Sequence, residues 1–162
     1  MDNIQKIREL YRGTSTFVDQ AIALMDALDL SKEDFETVTD LGTVTSLPDF
    51  QRRTRYQTRY QRHWLCNKMT EYGFEMLEVT EAEFSYDNID LFPFFPNLQR
   101  IQISHVGIIR NDQSKISLKS LTRLETIHLE SCQTEWEFPS SVENITACYS
   151  ELHSLNLDEL PN

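Results

Sequence analysis

The sequence predicts an α/β fold in which a helical N-terminal region, residues 1–72, is followed by a short and irregular parallel-sheet repeat, residues 73–162. Two observations support this prediction. In the first region, apolar residues recur at the spacing of amphipathic helices. After Gly73 they instead form short strand-like clusters, separated by polar or proline-containing connections, and such internal periodicity is typical of repeat architectures.

The N-terminal region is expected to hold four helices. Each is marked by apolar residues three or four positions apart and by residues that can cap its ends. The predicted spans are 4–11 with a stop near Gly13, 15–28 capped by Thr14 or Ser15, 32–41 capped by Ser31, and a long helix over 49–72 that stops at Gly73. Residues 42–48 are predicted to form a loop.

The repeat is clearest between residues 95 and 132. One unit reads Leu121-x-x-Leu124-x-x-Ile127-x-Leu129-x-x-Cys132, and the preceding unit reads Phe95-x-x-Leu98-x-x-Ile101-x-Ile103, followed by Val106. Weaker units are Phe74-x-x-Leu77-x-Val79-x-x-Ala82 and Val142-x-x-Ile145-x-Ala147. Successive strand positions, Val79, Ile103, Leu129 and Ala147, are 24, 26 and 18 residues apart. The inward side chains of each strand are expected to stack on those of the next turn.

The pattern LxxLxxLxLxxN/C resembles the leucine-rich repeat superfamily over residues 74–162. The resemblance implies a helical N-terminal cap followed by a short, irregular leucine-rich-repeat solenoid with a parallel sheet. Residues 138–147 (FPSSVENITA), with Leu152 and Leu155 after them, are also similar to units of bacterial leucine-rich effectors, and the acidic helical start is similar to their helical caps. Solenoids commonly bind proteins on a concave face, so a binding module is implied.

The predicted strands expose alternate residues on one face of the sheet, where a partner protein would bind. These side chains are polar, whereas the residues between them are apolar. The candidate partner-binding residues are Glu78, Arg100, Gln102, Ser104, Thr126, His128, Glu130, Asn144 and Thr146. A sheet face that is merely hydrated would show the same alternation, so both interpretations stay open.

A basic and aromatic segment precedes the repeats. Residues 51–70 carry six basic residues and no acidic residue, and the expected long helix would align Arg52, Arg55, Arg59 and Arg62 on one face. A neighbouring stripe would hold Tyr56, Tyr60 and Trp64. Because arginine and aromatic residues are enriched in binding hot spots, Arg55, Arg59 and Arg62 are further candidate partner-binding residues. The alternatives are that this helix packs on the repeats with its arginines paired to acids, or that it binds nucleic acid.

The chain as a whole is acidic. Its 162 residues carry a formal net charge of −11, with −6 in residues 1–50, +6 in residues 51–70 and −11 in residues 71–162. Acidic surfaces repel phosphate groups, so nucleic acids and membranes are poor partners and a basic protein is a better one. The polar start MDNIQKIREL lacks the features of a secretory signal, and three widely spaced cysteines fit a reducing compartment. A cytoplasmic protein is therefore expected.

We find no sequence motif for catalysis, a cofactor or a metal. The four histidines lack zinc-hydrolase spacing, the glycine motifs that cradle phosphates are missing, and no CxxC pair is present. His128, Glu130 and Cys148 could mimic a catalytic cluster, but coincidence on a repeat sheet is the preferred interpretation. The expectation is a protein that is not an enzyme and needs no cofactor.

The predicted function is that of a protein-interaction module. One alternative, which rests on charge alone, is an acidic inhibitor or immunity-type protein that neutralises a basic enzyme. Another is a substrate adaptor of the F-box leucine-rich type, although arginines follow Leu47-Pro48 where the apolar F-box pattern should continue. The apolar edge near Leu160 lacks a visible polar cap, so we expect a continuing chain, a partner or self-association there.

Overall fold

The computed structural model describes residues 2–107 and 115–149. The chain forms helices followed by a parallel sheet that is arranged as a solenoid of about three turns. The predicted α/β class with a helical N-terminal part is therefore confirmed. Two compact units, Met1–Met76 and Leu77–Asn162, make up the chain. In the described residues, no helix combines the length and the apolar character needed to cross a bilayer.

The described residues of the first unit form five α-helices. They are α1 (Asn3–Tyr11), α2 (Ser15–Leu28), α3 (Lys32–Thr39), α4 (Leu47–Arg53) and α5 (Arg59–Glu71). The predicted cap of α3 is confirmed, since the Ser31 hydroxyl accepts a hydrogen bond from the backbone N–H of Asp34 at 3.1 Å. The core of this unit includes the buried side chains of Ile7, Ala21, Phe35, Val38, Phe50, Leu65 and Met69.

The prediction of one long helix over residues 49–72 is wrong, because the chain leaves the helix between Arg53 and Arg59. A complete capping box starts a new helix at Thr58. The Thr58 hydroxyl accepts from the backbone N–H of Gln61 at 3.2 Å, and the Gln61 side-chain oxygen accepts from the backbone N–H of Thr58 at 3.0 Å. Gln61 also donates to the carbonyl oxygen of Ser15 and to the carboxylate of Asp19, at 3.0 and 2.8 Å. These contacts fasten the start of α5 to α2.

The predicted stop after this helix is confirmed. Glu71 is the last residue of α5, Tyr72 follows as its C-cap, and Gly73 adopts a φ of +66°. Positive φ is the left-handed region in which glycine is favoured, because a Cβ atom would be strained there.

In the part of the second unit that the structure describes, six strands form two parallel sheets. The strands are β1 (Glu81–Ser85), β2 (Arg100–Ser104), β3 (Lys115–Ser117), β4 (Thr126–Glu130), β5 (Glu135–Glu137) and β6 (Asn144–Cys148). The main sheet has the order β1-β2-β4-β6, and β3 pairs with β5 in a second, two-stranded sheet. The predicted strands around Ile103, Leu129 and Ala147 are confirmed, whereas the second sheet was not predicted.

The main sheet is aligned residue by residue across all four strands. One inward row holds Ala82, Ile101, Ile127 and Ile145, and the next holds Phe84, Ile103, Leu129 and Ala147. The inward residues of β2 and β4 are buried, while those of β6 are half-buried. The solenoid core therefore lies under the two central strands.

The first predicted repeat unit is displaced along the chain. Val79 was expected in the strand, but Glu75–Glu78 form a 3-10 helix and the strand begins at Glu81. Phe84 is the buried inward residue of this strand, and its ring packs edge-on against that of Phe95, with the ring centroids 5.9 Å apart. Burial of this aromatic pair favours the observed register, because a ring removes more apolar surface from water than the valine side chain does.

The same pattern of backbone hydrogen bonds joins each turn of the solenoid to the next. The carbonyl oxygens of Thr80, Gln99 and Glu125 each accept two backbone N–H groups from the next turn, at 2.8–3.0 Å. At the other end of the strands, the residues directly after β2, β4 and β6 are all left-handed, with φ of 57° at His105, 52° at Ser131 and 53° at Tyr149. The backbone therefore enters and leaves the strands in the same way in successive turns, although the connections between the strands differ in length.

Candidate functional site

The outward side of the main sheet is a regular array of polar side chains, which we call the polar face. Its first row is Glu81, Arg100, Thr126 and Asn144; its second is Glu83, Gln102, His128 and Thr146; its third is Ser85, Ser104, Glu130 and Cys148. All twelve residues are exposed or partly exposed. Because neighbouring strands lie about 4.8 Å apart, a ligand group can contact two or three of these side chains at once.

Eight of the nine predicted sheet residues occupy the polar face at the predicted positions. They are Arg100, Gln102, Ser104, Thr126, His128, Glu130, Asn144 and Thr146. The predicted position of Glu78 is wrong, since this residue ends the 3-10 helix that precedes β1. The sequence prediction missed Glu81, Glu83 and Ser85. The feature of the sequence that could have identified them is the alternation of these polar residues with the apolar residues Ala82 and Phe84.

Glu78 belongs to a chain of polar contacts beside the sheet. Its carboxylate accepts a hydrogen bond from the Asn97 side-chain amide, whose oxygen accepts from the Arg123 guanidinium at 2.8 Å. The three residues precede β1, β2 and β4, respectively, so the contacts link successive turns where the strands begin. We therefore assign Glu78 a linking position at this edge instead of a position on the polar face.

The polar face carries more acid than base. Arg100 and Glu81 form an ion pair at 3.3 Å, with both side chains 66% exposed. Such an exposed pair adds little stability, but it orients the arginine along the first row. Glu83 and Glu130 are the other formal charges among the twelve residues, so the face has a formal charge of −2 with its histidine neutral. Basic and hydrogen-bonding groups of a ligand are its natural complement.

The basic segment has a different shape from the predicted one. Arg55 lies in the turn between α4 and α5, and only Arg59 and Arg62 belong to α5, so the predicted single arginine face is wrong. The capping box at Thr58 is the physical reason. The Arg55 guanidinium lies over the Tyr56 ring, 4.5 Å from its centroid.

The predicted aromatic stripe is divided as well. Tyr56 and Tyr60 are 82% and 68% exposed. Trp64 is half-buried, and its indole N–H donates to the Asp26 carboxylate at 3.0 Å, which holds α5 against α2. The segment therefore presents two tyrosines to solvent and uses its tryptophan for packing.

The residues that could mimic a catalytic cluster are adjacent on the sheet but differently paired. His128 lies opposite Thr146, and Glu130 lies opposite Cys148. Across residues 2–107 and 115–149, no group of three or more histidine, cysteine, aspartate or glutamate side chains could hold a metal ion. The arrangement offers hydrogen-bond donors and acceptors in rows, which suits recognition of another molecule. No known protein family, curated protein or solved structure matches the chain.

Proposed function

We propose that the chain is a protein-interaction module of the leucine-rich-repeat type and that the polar face is its main binding surface. The observation that carries this proposal is the register of the main sheet, which sets twelve solvent-accessible polar side chains in three straight rows. Side chains held on a regular backbone lose less freedom on binding than side chains on a loop. Solenoids commonly use such extended surfaces to bind proteins.

The repeat chemistry supports the leucine-rich-repeat type. Cys132 takes the asparagine-or-cysteine position of its unit, is buried, and donates from its thiol to the carbonyl oxygen of Ile103 in the preceding turn at 3.3 Å. In the unit before it, Val106 takes the same position and is also buried. A residue at this position turns the chain away from the strand, and a donor there satisfies a buried carbonyl of the neighbouring turn.

The charge of the polar face supports a partner with basic residues. The face has a formal charge of −2, and the chain has one of −11. Long-range attraction would speed the encounter with a basic protein, and the rows would then set the specificity. An acidic inhibitor of a basic enzyme is the second candidate function, because it needs the same complementary charge.

Site-specific photo-crosslinking in cells of the native host tests the proposal. A photoreactive amino acid would replace Gln102 or His128 on the polar face and, as controls, Ser117 on the second sheet or Lys119 beyond it. We expect a discrete adduct with another protein from the two face positions and none from the control positions. The proposal is overturned if the control positions give the same adducts, or if only they do.

A further inference from the structure

A second exposed surface lies in the helical unit. It consists of Arg55 and Tyr56 in the turn before α5, and of Arg59 and Tyr60 in the first turn of that helix; we call it the basic aromatic turn. Tyr56 and Tyr60 are the most exposed of the large hydrophobic residues described in this unit, at 82% and 68%. The two tyrosines lie four positions apart in sequence, and exposed apolar groups that cluster in this way often mark a contact surface.

Positive charge is concentrated in the sequence segment that forms this surface. At one end of the basic segment, Arg52 and Arg53 pair with Asp49. At the other end, Lys68 pairs with Asp26 and Glu71, at 3.5 and 3.0 Å. Between these ends the sequence holds Arg55, Arg59 and Arg62 and no acid, while Asp19 of α2 lies beside the start of α5, where it accepts from Gln61. In a chain with a formal charge of −11, this stretch is the strongest positive feature.

The basic aromatic turn is held in one shape. The capping box at Thr58 fixes the first turn of α5, and Gln61, which is buried, fastens that turn to α2 through Ser15 and Asp19. The Arg55 guanidinium is stacked on Tyr56 at 4.5 Å. Because the groups are already ordered, less conformational entropy is lost when a partner binds.

We propose that the basic aromatic turn binds an acidic segment of another protein. Guanidinium groups match carboxylates in geometry and charge, and tyrosine rings pack on the apolar side chains between them. A nucleic acid would also meet positive charge here, but its long and densely charged phosphate backbone would be repelled more strongly by the acidic remainder of the chain than a short acidic segment would be. The proposal goes beyond the function proposed above, since this surface lies in the other unit and its partner has the opposite charge to that expected for the polar face.

Peptide arrays test this proposal with the whole chain. The peptides share a constant leucine and tyrosine background, in which Asp and Glu replace Ser step by step. We expect binding to rise with each added acid and to weaken as salt is raised. The double variants Arg55→Ala with Arg59→Ala, and Tyr56→Ala with Tyr60→Ala, should each lose at least about tenfold in affinity for the most acidic peptide.

The matched control removes the same charge elsewhere. Lys6→Ala with Lys119→Ala should leave peptide affinity within about twofold, since both lysines are exposed and lie far from the turn in sequence. If the arginine double variant loses its helical circular dichroism, Arg55→Lys with Arg59→Lys replaces it. That pair keeps the charge but loses the planar fork, and it should weaken binding by a smaller factor.

Three results would overturn the proposal. They are binding that does not depend on the acid content of the peptide, an equal loss in the lysine control, and tighter binding of a single-stranded DNA of matched charge, which would assign the surface to nucleic acid. None of these results bears on crosslinking from Gln102 or His128, so failure here is distinguishable from failure of the polar-face proposal.

Discussion

The thiol of Cys132 donates a hydrogen bond to the carbonyl oxygen of Ile103, 3.3 Å away in the preceding turn of the solenoid. Both residues are buried, Cys132 at 1% exposure and Ile103 at 0%. The thiol is a weak donor on a small and largely apolar side chain, and it also lies 3.4 Å from the carbonyl oxygen of Glu130, so cysteine suits a buried position beside backbone carbonyls. The contact joins the turn of β4 to the turn of β2.

Cys132→Ala should lower the free energy of unfolding by about 1–2 kcal/mol, because it removes this hydrogen bond and leaves a small cavity. Urea unfolding followed by circular dichroism measures the change. Cys148→Ala is the control, since Cys148 is exposed on β6, and it should change stability by less than about 0.5 kcal/mol. Equal effects of the two substitutions would show that the Cys132 contact contributes nothing of its own.

The glycine that ends α5 offers a test of backbone strain. Gly73 has a φ of +66° with open space around it, so Gly73→Ala should destabilise the chain by about 1 kcal/mol through conformation alone. Gly107 also has open space but no positive φ of this kind, and Gly107→Ala should leave stability unchanged or raise it by up to about 1 kcal/mol. Thermal melts should therefore show a lower midpoint for Gly73→Ala and an unchanged or higher midpoint for Gly107→Ala, and an equal loss in both variants would contradict the strain argument.

The break between α4 and α5 depends on Thr58. Thr58→Ala removes the acceptor of the capping box and should destabilise the chain by about 1 kcal/mol. A matched change is Thr37→Ala on α3, where the hydroxyl donates to the Glu33 carbonyl within the helix and caps nothing. The free energy of unfolding of this variant should stay within about 0.5 kcal/mol of that of the unmodified chain, because alanine has the higher helix propensity. Denaturant midpoints compare the two, and a harmless Thr58→Ala would mean that the break has another cause.

Asp40 should make stability sensitive to acid. Its carboxylate meets Arg8 at 2.9 Å and Arg12 at 2.6 Å. Burial is the largest single influence and would raise the pKa of Asp40, but the two arginines together outweigh it and hold that pKa below its usual range. The stabilisation is therefore present above the unfolded-state pKa of about 3.9 and is lost as the pH falls through that value towards the lower folded-state pKa.

Asp40→Asn removes this dependence while keeping a residue that tolerates the left-handed φ of 57° at this position. The carboxylate is 48% exposed, so the loss at neutral pH should be less than about 1 kcal/mol. Urea unfolding at several pH values should show the two proteins converging below about pH 4. The control is Asp87→Asn, which changes one exposed carboxylate in the other unit. A difference that is constant with pH would rule out the ion-pair explanation.

The polar face should respond to neutralisation of its formal charge of −2. Gln102→Lys with His128→Lys adds two positive charges to the middle row and should weaken binding of the partner crosslinked there by at least about tenfold, through repulsion of its basic residues. Ser117→Lys with Thr122→Lys adds the same charge outside the face and should have little effect. Titration calorimetry measures both affinities, and tighter binding by the face variant would show that the partner is acidic.

Much of the solenoid could be predicted because its central strands combine strict spacing with full burial. Ile101, Ile103, Ile127 and Leu129 stand at the pattern positions and are the buried inward residues. The first strand was harder to place. Phe74 and Leu77 have strand-like spacing too, and only burial of Phe84 against Phe95 distinguishes the true register. Short strands with few side chains, such as Lys115–Ser117, carry too little pattern to be recognised alone.

The candidate sites were predictable to different degrees. Positions on the polar face followed from alternation, since each outward residue neighbours an inward apolar one. The basic segment was mistaken for one helix because arginine, tyrosine and glutamine all tolerate helix interiors. The informative signal was Thr58 followed three positions later by Gln61, which forms a capping box when a helix begins there. The edge expected near Leu160 lies outside the described residues.

The corners that follow β2, β4 and β6 share one backbone conformation but hold a histidine, a serine and a tyrosine. Backbone hydrogen bonds impose that conformation on two of them without glycine: His105 donates to the carbonyl of Glu130 at 2.9 Å, and Ser131 to that of Cys148 at 3.0 Å. Several different side chains are therefore compatible with the left-handed conformation at these corners. Substitutions at these three corners can change the side chains that lie next to the third row of the polar face. The preference for one partner over another can therefore change by single substitutions while the fold is kept.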